Sequence, residues 1–95
     1  MTFSITGMCE RTAMAGVAIT TSSISVGSRC PWVRAGAGAV ATQNVTDPSI
    51  GNEMLDLMAQ GLDAPSALAS VMDDRPFAQY RQVTAVDLQG NIAER

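Results

Sequence analysis

Residues 81–95, Arg-Gln-Val-Thr-Ala-Val-Asp-Leu-Gln-Gly-Asn-Ile-Ala-Glu-Arg, read as a strand, a turn and the opening of a second strand. Val83, Ala85 and Leu88 are the apolar positions, Leu-Gln-Gly-Asn supplies the turn, and Ile92 and Ala93 start the return leg. A second strand that has barely begun leaves backbone donors and acceptors that some partner has to satisfy. The expectation is a fold completed by a second chain or a second copy, with function close to that unfinished edge.

Composition points the same way. Ninety-five residues make at most one small domain, which buries a smaller fraction of its surface than a large one does. Yet 46% of them are hydrophobic and only 16% charged, with a mean hydropathy of +0.13, where an average soluble domain is about 25% charged. The apolar residues are mostly Ala, Val, Ile and Met, small side chains that suit close packing of one sheet on another. A domain of this size would have to expose many of them, which again asks for a partner surface.

The net charge of −3 comes from nine acidic residues and six arginines, with no Lys and no His. Scattered arginines without a dense positive patch argue against nucleic acid as a partner. Without His, this chain supplies neither a His-based triad nor a His-ligated zinc. Cys9 and Cys30 lack metal-type spacing and read as free thiols of a reducing compartment, and no metal or cofactor is expected. The sequence shows neither a signal peptide nor an apolar run of the ~20 residues needed to span a bilayer. The expectation is a cytoplasmic protein with no membrane contact.

Along the chain, residues 2–6 alternate as a half-buried strand and residues 7–12 form a turn. Residues 13–20 are nearly all apolar and read as a strand covered on both faces, closing an N-terminal hairpin. Residues 20–29 are hydroxyl-rich and irregular. Pro31 excludes a central strand at its position. Gly36 and Gly38 allow a bulge or close backbone approach, and residues 37–43 read as another buried strand. Asp47-Pro48 opens a helix with Ile50, Met54, Leu57 and Met58 on one face and Gly61 as its terminator. Asp63-Ala-Pro65 caps a second helix, with Leu68, Val71 and Met72 buried, and residues 73–76 end it. Strands, a helix pair and strands again predict a layered α+β architecture. One helical layer covers one sheet face, and no element is left for the other.

Thr2-Phe-Ser-Ile, Gly16-Val-Ala-Ile, the block Pro31-Trp-Val-Arg-Ala-Gly-Ala-Gly-Ala-Val-Ala-Thr-Gln43, the Gly61-Leu-Asp-Ala-Pro-Ser-Ala-Leu helix and Arg81-Gln-Val…Asp87-Leu-Gln-Gly carry a resemblance. In order, and over essentially the whole chain, they resemble the first half of the bacterial domain of unknown function numbered 1028. That family is placed among proteins with an N-terminal-nucleophile (Ntn) hydrolase-like fold. The resemblance implies an αββα sandwich of which residues 1–95 are the N-terminal, α-chain-like half of a single domain. It also implies that the segment matching residues 91–95 is followed by Ser or Thr and then Gly.

Ntn hydrolases cleave their own backbone before a Ser, Thr or Cys, freeing an amine that serves that residue as its base. On this reading the precursor is self-cleaved after Arg95, and the nucleophile opens a C-terminal, β-like partner chain. The pair would assemble into a higher oligomer and hydrolyse a small amide or related C–N bond. A truncated gene or a proteolytic nick at Arg95 is the alternative. The rival function is a non-catalytic half-fold that dimerises or acts as a scaffold.

Thr2 is the second candidate nucleophile. With Met1 removed, its hydroxyl and free amine would open the first strand; an ordinary strand residue behind a retained Met1 is the simpler reading. Thr42, Gln43 and Asn44 put three hydrogen-bonding side chains in a row, suited to an oxyanion or carboxamide site or, equally, to a polar strand exit. Arg34, among apolar neighbours, must pair with an acid or a substrate carboxylate. Arg29 faces the same choice with a weaker case. Cys30 beside Arg29 is a possible thiol nucleophile, though a packing cysteine is favoured. Gly36 and Gly38 lack P-loop spacing and a lysine.

Overall fold

The computed structural model describes residues 2–22, 27, 30–44, 48–73 and 75–95. Within them, strands β1 (Thr2–Cys9) and β2 (Met14–Thr21) form a two-stranded antiparallel sheet, in register from Thr2↔Thr21 to Cys9↔Met14. The predicted hairpin is therefore present, but β1 is longer than expected. Pairing continues through Gly7↔Gly16 and Met8↔Ala15, and the turn shrinks to residues 10–13, where Ala13 adopts φ 56°.

The second sheet has four antiparallel strands in the order β3-β4-β5-β6: β3 (Pro31–Arg34), β4 (Gly38–Asn44), β5 (Arg81–Asp87) and β6 (Ile92–Glu94). Pro31 opens the edge strand β3, a position where a missing N–H costs the ladder little. The connection from β4 to β5 carries helices α1 (Pro48–Ala59) and α2 (Ala64–Met72) and one 3-10 turn (Ala78–Tyr80).

Both helices end as their sequences require. Gly61 at φ 105° lets the Gly61 N–H reach Met58 O at 3.1 Å and the Leu62 N–H reach Leu57 O at 3.1 Å, closing α1. Asp63 caps α2, its Oδ1 accepting from the Ser66 N–H at 2.8 Å with Pro65 in the first turn. Asp47, expected to cap α1, lies outside the described residues.

The helical layer covers one face of the four-stranded sheet and the β1–β2 hairpin covers the other, giving an α-β-β order of layers. The main core lies under the helices. Ile50, Met54, Leu55 and Met58 of α1 and Ala64, Ala67, Leu68, Val71 and Met72 of α2 pack on Val40, Val83, Ala85 and Ala93. Each fully buried Leu, Ile, Val or Met among them contributes about 1.5–3 kcal/mol. Leu55 takes the buried position that the sequence pattern gave to Leu57, which is only partly buried. Trp32 of β3 packs against this core, and its indole fills the space where a Cβ of Gly51 would lie. The sheet pairing corrects one expectation: β2 is not covered on both faces, since Met14, Gly16, Ala18 and Thr20 are exposed.

Candidate functional site

Strand β1 of the hairpin is amphipathic in the inverse sense. Both strands alternate with period two, so each carries one set of side chains toward the four-stranded sheet and one away from it. The partly buried inner set is Thr2, Ser4, Thr6 and Met8 on β1 with Ala15, Val17, Ile19 and Thr21 on β2. The outer set includes Phe3, Ile5, Met14 and Ala18, with Phe3, Ile5 and Met14 each more than 60% exposed. Hydroxyl groups of β1 thus line the seam beside Ala15, Val17 and Ile19 of β2, while Phe3, Ile5 and Met14 face away from it.

Two contacts organise the seam. Thr2 Oγ1 and Thr21 Oγ1, at the open end of the hairpin, are hydrogen-bonded at 2.8 Å. Across the layers, the Gln43 side-chain amide of β4 donates to Ser4 Oγ. Gln43 is buried, so this contact ties the two sheets together at the end where β4 finishes and β5 begins. Thr84 of β5 faces the same side as its register partner Ala41, and its buried Oγ1 has no hydrogen-bond partner among the described residues. The seam therefore presents hydroxyls from one sheet and a carboxamide and a hydroxyl from the other. Such a set can bind and orient a neutral polar group, and a Thr with a free amine could act in it as a nucleophile.

The residues singled out in the sequence divide between the two faces. Thr2 and Gln43 both enter the seam. Thr42, adjacent to Gln43, points to the helical face, where its Oγ1 accepts from Trp32 Nε1 at 3.4 Å. Thr42 and Gln43 consequently do not stand in one row, because neighbouring strand residues take opposite faces. Asn44 pairs with Arg81 in the β4–β5 ladder.

Arg34 lies on the helical side and forms an ion pair with Asp56 of α1 at 2.5 Å, with both side chains substantially exposed. Its partner is an acid of this chain, one of the two choices its surroundings demanded. Arg29 lies outside the described residues. Arg95 follows β6, its N–H donating to Val83 O at 2.8 Å beside the start of β5. Cys30 is buried, and its carbonyl accepts from the Thr42 N–H at 2.8 Å.

Ser4, Thr6, Thr21 and Thr84 were not singled out, although the alternation Thr2-Phe3-Ser4-Ile5-Thr6 contains the signal: one face of that strand had to be hydroxylic. Asp87 was missed as well. Its buried carboxylate accepts from the Ala64 N–H at 2.9 Å, the Gln89 N–H at 3.0 Å, the Asn91 N–H at 2.9 Å and Asn91 Nδ2 at 3.0 Å. Burial alone would push its pKa up, but the Ala64 amide, the Asn91 side chain and the turn amides outweigh it and hold the pKa below the ordinary value. This group fastens the start of α2 to the β5–β6 turn, a structural task. Among the described residues no group of three or more His, Cys, Asp or Glu could hold a metal ion, and no helix is long and apolar enough to cross a membrane.

Comparison with other proteins gives two findings. The profile of a family of unknown function (DUF1028) matches residues 2–94. The crystal structure of protein SPO2555 from Silicibacter pomeroyi, assigned to DUF1028, superposes with a TM-score of 0.93 at 32% identity, over 99% of this chain and 44% of that one. The chain thus spans less than half the length of that relative. No curated protein matches it.

Proposed function

The chain belongs to the family of unknown function DUF1028, and from that premise we propose that it is the N-terminal half of an Ntn-type amidohydrolase. The remainder of the family-length polypeptide supplies the other half of an αββα sandwich. The observation that carries this reading is the inverted strand β1, which turns Thr2, Ser4 and Thr6 toward the four-stranded sheet while Phe3 and Ile5 stay more than 60% exposed. The corresponding strand of a self-sufficient two-layer hairpin would do the reverse. Both choices make sense if the hairpin is an inner layer, with a second helical layer on Phe3 and Ile5 and a reaction site between the sheets.

In this reading the substrate is a small amide or related C–N compound held in the seam. With Met1 removed, the Thr2 α-amine takes the proton of Oγ1 as Oγ1 attacks the carbonyl carbon. The ammonium then returns that proton to the nitrogen as the C–N bond breaks, leaving an ester on Thr2. Water, deprotonated by the same amine, releases the acid and restores the hydroxyl. Gln43 and Ser4 line the seam beside Thr2 and orient the amide. A Ser or Thr released by self-cleavage after Arg95 is the other candidate.

Intact mass and N-terminal sequencing of the natively purified full-length protein, coupled to hydrolysis assays on a panel of small amides, test the reading. Activity with a chain beginning at Thr2, or at a Ser or Thr after residue 95, supports it. An unprocessed protein retaining Met1 and inert toward every amide would sink it. The exposed apolar hairpin face then favours the scaffold reading, in which a second copy covers Phe3, Ile5 and Met14.

A further inference from the structure

Across the mouth of the seam, the first and last residues of the hairpin meet through their hydroxyls: Thr2 of β1 and Thr21 of β2 are register partners with Oγ1 atoms 2.8 Å apart. Resting on the reading of Thr2 as a nucleophile, we propose that Thr21 is its positioning residue. Thr21 donates its hydroxyl hydrogen to Thr2 Oγ1, fixing the direction of the Thr2 side chain and of its attacking lone pair.

The argument is one of proton accounting. A Thr hydroxyl carries one proton and two lone pairs. If Thr2 donated to Thr21, its proton would point along the sheet and away from its own amine. If Thr21 donates instead, the Thr2 proton is free for the amine and the remaining lone pair is free to attack. Only the second arrangement is productive. A donor already held against the attacking oxygen fixes its direction, so the nucleophile requires no reorientation as it meets the carbonyl carbon. The pair also has a rigid frame. Thr2 and Thr21 belong to an eight-residue ladder without a bulge, and both are β-branched residues with few side-chain rotamers.

The test is covalent labelling of the full-length protein with a β-lactone electrophile, read by mass spectrometry of the N-terminal peptide. In the labelling step Thr2 Oγ1 attacks the lactone carbonyl and the ring C–O bond breaks. The Thr2 proton passes through the amine to the departing ring oxygen, which becomes a free hydroxyl. Thr21→Val keeps the shape and removes the donor, so the labelling rate should fall on the order of 10²-fold as the attacking oxygen loses its fixed direction. Thr21→Ser, which keeps the donor, should restore it. Equal labelling rates in wild type and Thr21→Val overturn the positioning role while leaving Thr2 as nucleophile. A wild-type protein not labelled at Thr2 overturns the nucleophile reading, and the positioning role with it.

Discussion

Gln43 and Ser4, thirty-nine residues apart in sequence, join the two sheets through one hydrogen bond from the Gln43 carboxamide to the Ser4 hydroxyl. The donor comes from a buried side chain of β4 and the acceptor from the inner face of β1. The pair therefore links the hairpin to the four-stranded sheet at the end where β4 finishes.

Gln43→Leu preserves bulk but removes the donor and leaves Ser4 unsatisfied in the seam. Unfolding by denaturant should show a loss of about 1–3 kcal/mol. The double variant Gln43→Leu/Ser4→Ala should recover part of it, since removing both partners of a buried pair is milder than removing one. A double variant no better than the single would mean that the bond does not connect the sheets in solution.

The Asp87 carboxylate makes a pH prediction with a definite sign. Its folded-state pKa lies below the ordinary 3.8, so its contribution to stability is complete above the unfolded-state value and disappears as pH falls through the folded value. Stability measured against pH should therefore drop on the acid side, beginning near the ordinary carboxylate range. Asp87→Asn should flatten that limb and cost stability at neutral pH, because an amide oxygen replaces a charge that accepts from four donors. An acid limb unchanged in Asp87→Asn would assign it to other carboxylates.

How far the sequence discloses this molecule depends on the range of the deciding force. Both helices were legible because caps and periodicity are local: Asp63, Pro65 and Gly61 act within one turn of where they stand. Leu55 and Leu57 are both apolar, and only the angle at which α1 lies on β4 makes Leu55 the buried one. The hairpin's existence was legible, but the face it turns to the sheet was not. A period-two pattern states that Thr2, Ser4 and Thr6 share a side and that Phe3 and Ile5 share the other. The usual preference for apolar residues inside would have turned β1 over, although it agrees with Val17 and Ile19 of β2. In the candidate site, Thr2 and Gln43 could be found as individual residues. Thr21 and Ser4 could not, since they matter only through partners that the fold brings to them.

Arg34 tests whether a charge that looked functional in the sequence is merely structural. Its ion pair with Asp56 is exposed and lies on the helical side, away from the seam. Arg34→Ala should reduce stability by about 1 kcal/mol or less, and less still at high salt. Amide hydrolysis or β-lactone labelling should be unchanged. A large loss of activity with stability intact would return Arg34 to the site.

Gly51 and Trp32 form a contact that any side chain at position 51 would break. A Cβ built there would run into the indole, and a rigid ring cannot bend away as a Met or Lys side chain could. Gly51→Ala should destabilise the protein by about 1–3 kcal/mol through overpacking. Trp32 is the only tryptophan, so its fluorescence should shift to the red as the ring is displaced toward solvent. A variant with wild-type emission and stability would show that α1 stands farther from β3.

The outer face of the hairpin gives the sharpest contrast between this chain and a family-length protein. Phe3 and Ile5 are 65% and 69% exposed in this chain. If a further layer covers them in the family-length protein, then Phe3→Thr and Ile5→Thr should have opposite effects in the two contexts. Thr keeps the strand propensity, so the difference isolates burial. In the 95-residue chain, sedimentation or light scattering should show less self-association, because an exposed apolar strip has been removed. In the full-length polypeptide each substitution should cost about 1.5–3 kcal/mol of stability, the value of burying a large apolar side chain. Neutral substitutions in the full-length protein would mean that no layer rests on the hairpin, and the argument from its inverted polarity to a catalytic seam would fail.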